Sequence, residues 1–223
     1  MSPPDPVKTP RRPGRPPHSS SEDTRARILD AALVAFAKSG FEGARLKEIA
    51  DAAGVHTALV HHYFGDKGRL YNAVLDRALR PINEQGSALM LPDLDIRMII
   101  EGFVSLLVFF FVERRDVVML VTREALGGAE RLRPVIRDVL KPLFDQAVTF
   151  FSDARAKGLV PDLDPTQMVF SVVGAVGLYF THHAVIEDVL GADPLSPEQV
   201  EKRRMEVIRM LHAMITNQGQ TRG

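Results

Sequence analysis

The sequence predicts an all-α protein, a short N-terminal helical unit followed by a larger helical one. Three observations predict it. Apolar residues recur at helical spacing, as at Leu46, Ile49, Ala50 and Ala53, which fall at i, i+3, i+4 and i+7 on one face. Helix ends are written into the chain: Asp66, Asp164-Pro165-Thr166-Gln167 and Ser196-Pro197-Glu198-Gln199 place capping oxygens at starts, while Gly40 and Gly158 mark stops. No strand signal appears in the second unit.

Composition narrows the functional classes. A chain of 223 residues has interior enough for a real core. Lysines and arginines equal the acids at 28 each, so nucleic acid is not bound through bulk charge, only through a local surface. The absence of cysteine excludes disulfides and thiolate metal sites and fits a reducing compartment. The N-terminus lacks the apolar core of a signal peptide. The greasiest run, from Phe103 to Val112, is followed at once by Glu113-Arg114-Arg115 and is far short of the ~20 residues of a membrane span. A cytoplasmic location and no membrane partner are expected.

In chain order, residues 1–21 form a Pro- and Ser-rich arm whose basic cluster is Arg11, Arg12 and Arg15. So many prolines preclude a helix, and Gly14-Arg15-Pro16 is similar to the centre of an AT-hook, an extended segment for a narrow minor groove. Ser20-Ser21-Glu22-Asp23 starts the first helix, whose buried stripe is Ile28, Leu29, Ala32, Leu33 and Phe36. Gly54 then supplies the turn between two short helices.

The second of these reads by rotation at ~100° per residue. Thr57, Ala58, His61 and His62 fall on one side, and Leu59, Val60 and Tyr63 on the other. A core hairpin would not present a Thr-Ala-His-His face, whereas a recognition helix entering a major groove would. Asp66 caps the next helix, with Leu70, Tyr71, Val74, Leu75, Ala78 and Leu79 as its stripe and Lys67 at its anion-attracting N-terminus. Pro81 is expected to kink or end that helix, which puts a domain boundary between 22–80 and 81–217, with a tail over 218–223.

Further helices are expected over about 96–112, 116–126, 131–157, 165–190 and 197–216. The histidine pairs 61/62 and 182/183 point apart on a helix and make poor joint ligands. His183 and Glu187, at i and i+4, are more often surface polar residues than a metal pair. No phosphate loop, nucleophile elbow or HExxH motif is present, so no catalytic residue, metal or cofactor is expected and the protein is read as no enzyme. Polar residues inside apolar helices are candidates to face a ligand: Glu101, Arg123, Glu124, Tyr179 and His182, with Phe103 among the surplus of large apolar side chains. Ser171, Gly174, Ala175 and Gly177 make a small-residue stripe that suits close helix approach, between subunits or within one.

Three segments carry a resemblance. They are R-I-L-D-A-A-x-x-x-F-A-x-x-G-F from Arg27, K-E-I-A-D-A-A-G-V from Lys47, and Y-F-G-D-K-x-x-L from Tyr63. Over Arg27 to Leu70 the chain resembles the TetR family of transcriptional regulators. The resemblance implies an all-α fold: an N-terminal three-helix helix-turn-helix DNA-binding domain plus a C-terminal helical ligand-binding and dimerisation domain. It implies contacts to double-stranded operator DNA from Arg45, Lys47, His56, Thr57, Ala58, His61, His62, Tyr63 and Lys67, with the arginines of the arm beside them. The last two helices are implied to form a homodimer's four-helix bundle, and those before them to enclose an effector pocket. Four positions depart from the family's pattern. Ala44-Arg45 stands where Thr-Thr is frequent, His56 where Ser is, His61 where a phosphate-contacting Tyr is usual, and Gly68 where Glu is usual. The expected function is a sequence-specific regulator, a repressor released from its operator by a small apolar or amphipathic effector. The alternative is a DNA-binding accessory protein without an effector, which the Pro/Arg arm supports.

Overall fold

The structure, a computed structural model, describes residues 21–90 and 95–216. The arm with Arg11, Arg12 and Arg15, the Ser20 end of the first cap and the tail over 218–223 lie outside the described residues. Among the described residues all regular structure is helical.

The N-terminal unit is α1 (Ser21–Gly43), α2 (Leu46–Ala52), α3 (Thr57–Phe64) and the first half of α4 (Lys67–Leu89). The predicted stripe of α1 is buried at Ile28, Leu29, Ala32 and Phe36, and the helix kinks at Gly40, whose φ of 68° leaves the helical region. Gly54, at φ 64°, turns α2 into α3. The cap of α4 forms as expected, with Asp66 Oδ1 accepting from the Arg69 amide at 2.8 Å. Val60 and Phe64 of α3 pack under α1 and α4. Above them Phe36, Phe41 and Tyr71 form an aromatic triad, with Tyr71 edge-on to the other two rings at 4.9 and 5.2 Å. Such pairs contribute about 0.5–1.5 kcal/mol each beyond area burial.

The C-terminal helices are α5 (Ile96–Glu113), α6 (Arg115–Leu126), α7 (Arg133–Val135), a π turn (Ile136–Leu140), α8 (Lys141–Ala156), α9 (Pro165–Thr181), α10 (His183–Leu190) and α11 (Pro197–Thr216). The Asp164 cap of α9 is in place, its Oδ1 3.0 Å from the Gln167 amide. One core joins α1–α4 to Val117 and Leu120 of α6 and to Leu132, Val135 and Val139. A second joins Ile82 of α4 to α5, α9 and α11.

Three expectations are corrected. Pro81 neither ends nor divides α4, which runs through it to Leu89. The ring is exposed, and the turns beyond it are held by packing: Ile82 and Gly86 are buried, and a Cβ on Gly86 would lie 2.7 Å from Leu143 Cδ1. α4 is shared by both cores: its members of the first end at Leu79, and Ile82 belongs to the second. The helix expected over 131–157 is broken by the π turn, which ends next to Pro142, a residue without an N–H for the carbonyl four residues back. The helix expected over 165–190 bends by 75° at His182. There Thr181 Oγ1 donates back to the Gly177 carbonyl at 2.8 Å, a bond that competes with helix geometry. Among the described residues no single helix is long and apolar enough to cross a membrane.

Candidate nucleic-acid interface and effector cavity

The candidate reading head is the outer face of α3. His56, Ala58, His61 and His62 are exposed, Thr57 and Leu59 are half-buried and Val60 is buried, so the rotation derived from the sequence holds. Tyr63 is half-buried. Its hydroxyl lies 3.0 Å from Ser21 Oγ, tying α3 to the start of α1, and its ring meets that of His62 edge-on. His61 Nδ1 sits 2.7 Å from the Gly65 carbonyl and so donates to the end of its own helix. Arg45 and Lys47 are exposed at the start of α2, with Arg45 3.9 Å from Glu48. Lys67 is half-buried over the Phe41 ring, and its ammonium donates to the Glu42 carbonyl at 3.2 Å. These cations share one end of the molecule with the α3 face, and the arrangement suits phosphate contacts flanking a groove-reading helix.

Four of the six residues expected to face a ligand instead satisfy other groups, and a fifth sits beside a cation. Arg123 reaches the Ala37 carbonyl on α1 at 3.5 Å. Glu124 takes the Tyr71 hydroxyl at 3.5 Å and the Arg131 guanidinium at 3.4 Å. Arg131 continues to the Glu42 carboxylate at 2.5 Å and stacks on Phe41, 4.1 Å from its centroid. Burial, then the Glu124 carboxylate, pushes the Tyr71 phenol up, so it stays protonated and donates. The group thus links α1 and α4 to the end of α6. Glu101 is exposed and 3.5 Å from His212, Tyr179 lies beneath Arg203, and His182 shares a bond with Thr181 Oγ1. Only Phe103 lines a cavity.

That cavity, of about 360 Å³, lies among α4, α5, α6, the π turn, α8 and α9, and opens to the surface beside Phe170 and Val173. Its walls include Leu79 and Ile82, Phe110 and Phe111, Val118 and Val121. The polar side chains in it are the hydroxyls of Thr122 and Thr181, the second already bonded to backbone. A buried charge would find no partner here, so the site accepts an apolar body. Nothing in the sequence separates these lining residues from packed ones, since a phenylalanine on a cavity and one in a core have the same spacing.

The small-residue stripe divides. Gly174 and Ser171 are exposed, and a Cβ on Gly174 meets nothing within 4 Å. Gly177 is buried within its own subunit, where a Cβ would lie 3.1 Å from Phe111 Cζ, and the Ala175 carbonyl accepts from Arg203. For these two the packing is internal, which corrects their placement in a seam. Around Gly174 the surface is apolar: Phe170 is 58 % exposed and Leu178 63 %. In α10 no residue is buried, and Val189 is 79 % exposed. Among the described residues no group of three or more metal-ligating side chains converges.

Comparison with known proteins matches residues 28–74 to the family described as bacterial regulatory proteins, tetR family. Residues 97–211 match the tetracyclin repressor-like C-terminal domain. The HTH-type transcriptional regulator RutR of Escherichia coli (strain K12) is 29 % identical over 169 residues, 74 % of this chain and 77 % of its own. The HTH-type transcriptional repressor NicS of Pseudomonas putida is 28 % identical over 151 residues, 64 % of this chain and 68 % of its own. Among solved structures, the transcriptional regulator SCO4942 from Streptomyces coelicolor superimposes with a TM-score of 0.68 at 25 % identity, covering 86 % of this chain and 98 % of that one.

Proposed function

Because the chain belongs to the tetR family of bacterial regulatory proteins, we propose that it is a dimeric repressor that leaves a palindromic operator when an apolar or amphipathic effector fills the five-helix cavity. The observation that carries this reading is the double membership of α6. Val118, Val121 and Thr122 face the cavity, while Val117 and Leu120 are part of the core that holds α1–α4. One turn on, Arg123 and Glu124 grip α1 and α4. A ligand that displaces α6 therefore displaces the reading head, and it shifts the balance of states by its differential affinity for them.

In this reading α3 enters the major groove with Thr57, Ala58, His61 and His62 toward base edges and backbone, and Arg45, Lys47 and Lys67 meet phosphates. The arm carries Arg11, Arg12 and Arg15 into the neighbouring minor groove. The exposed faces of α9 and α10 meet a second copy, which brings two α3 helices to half-sites roughly 34–36 Å apart or a multiple of it.

The test is to sequence the DNA fragments retained by the purified protein. A palindromic motif is expected, and its complex should dissociate when apolar compounds are added. Fragments without a common motif overturn the operator reading. A complex unmoved by any apolar compound that enters the protein overturns the effector reading.

A further inference from the structure

The 360 Å³ cavity has two neighbours: a small pocket of about 20 Å³ that shares lining residues with it, and a second cavity of about 230 Å³ that shares lining residues with the small pocket. Shared side chains order the three. On α5, Phe103 borders the first cavity and the small pocket, and Ile100, one turn away, borders the small pocket and the second cavity. On α8, Ala147 and Phe151 divide in the same way, and on α9 so do Val169 and Val172. The three thus follow one another along α5 and α8, with α9 laid across them as a bridge. Residues 169, 170, 173 and 177 of α9 face the first space, and 168 and 171 the second.

We infer that these spaces form one apolar tunnel that holds a single long, uncharged, straight-chain aliphatic molecule. This rests on the reading of the first cavity as the effector site. The waist sets the shape: a space of about 20 Å³ admits little more than one water-sized sphere, the width of a methylene chain and too narrow for a ring. Polarity sets the ends. No Lys, Arg or His lines any of the three spaces, so a carboxylate or phosphate inside goes unpaired. Gln167 and Ser171 are exposed at the rim of the second cavity and offer hydrogen bonds to a neutral head group such as a hydroxyl. Asp164 beside them repels an anionic head, and its carboxylate already caps α9. Met168, Met210 and Met214 line this end with flexible side chains that adapt to a chain's path.

Length separates the tunnel from the first cavity alone. Along α5 the first cavity spans residues 103 to 111, about 12 Å at ~1.5 Å per residue. An extended alkyl chain with ~1.5 Å bonds advances roughly 1.3 Å per carbon, so that length takes about nine carbons. Reaching Ile100 requires about thirteen, and reaching Gln167 more.

The test is displacement of the neutral dye N-phenyl-1-naphthylamine from the full chain by straight-chain primary alcohols of increasing length. Affinity is expected to rise about threefold to fourfold per methylene past nine carbons, to about fourteen, and palmitate to bind more weakly than hexadecanol. The Val172→Phe substitution narrows the waist and should abolish the gain beyond nine carbons while leaving octanol within twofold of the parent. Ile100→Phe, at a residue that borders the waist and the second cavity but not the first, is an independent plug with the same expectation. A parent series that levels off at about nine carbons overturns the tunnel and leaves the effector cavity standing. So does a plug that spares the long-chain gain. Failure of every alcohol to displace the dye overturns both.

Discussion

His61 should contribute to operator affinity through a single ring nitrogen, and this follows from one distance. Its Nδ1 lies 2.7 Å from the Gly65 carbonyl, which can only accept, so Nδ1 carries a hydrogen that is already used within the protein. Nε2 is then the ring atom left to face DNA. A net hydrogen bond contributes about 0.5–1.5 kcal/mol, so His61→Ala is expected to weaken binding about 2-fold to 13-fold per subunit. If the contact is to phosphate, the loss is the same on every sequence. Fluorescence anisotropy at fixed pH and ionic strength, on an operator fragment and on a scrambled one, measures it. The His61→Tyr substitution supplies a hydroxyl donor at the same position and should retain affinity. His56 and His62 share the exposed surface and are controlled by His56→Gln and His62→Gln. Equal affinity of the parent and of His61→Ala refutes the reasoning.

Two further outcomes are expected. Tyr71 ionises in the unfolded chain near pH 10, whereas burial and Glu124 hold the folded phenol higher, so stability present below pH 10 is lost as pH rises beyond it. The melting temperature of Tyr71→Phe should therefore fall less than the parent's between pH 9.5 and 11. At pH 7 it should lie about 2–4 °C lower, for a bond of about 1 kcal/mol; parallel alkaline curves would exclude the assignment. Replacing Gly174 by Leu should weaken self-association, seen by sedimentation at low micromolar concentration, whereas Gly177→Leu should lower subunit stability by about 1–3 kcal/mol through overpacking on Phe111. A Gly174→Leu variant that remains fully dimeric places the seam elsewhere.

The helix-turn-helix was legible because each of its decisions is local. A capping carboxylate at Asp66, a positive φ at Gly54 and an apolar face through Val60 all act within a few residues. The C-terminal unit depends on contacts far apart in the chain. Pro81 looked like a stop because the missing hydrogen bond is visible in sequence, while Leu143 over Gly86 is not. The bend at His182 falls where Thr181-His182-His183 interrupts the apolar pattern, beside a threonine hydroxyl turned onto its own backbone. Glu124 and Arg123 stand out in sequence as polar residues within apolar helices, but the partners they meet lie on α1 and α4. The cavity left no mark, since an empty space is a property of the gaps between side chains and not of any one of them.

Three tyrosines and no tryptophan occur in the whole chain, and the fold has set those rings at three different stations. Tyr63 stands on α3, Tyr71 in the first core with its hydroxyl on Glu124 of α6, and Tyr179 beneath Arg203 of α11. Fluorine placed on tyrosine would give a three-line spectrum, each line assignable by one Tyr→Phe substitution. DNA engagement, junction movement and changes in the C-terminal bundle would then be visible separately in one sample.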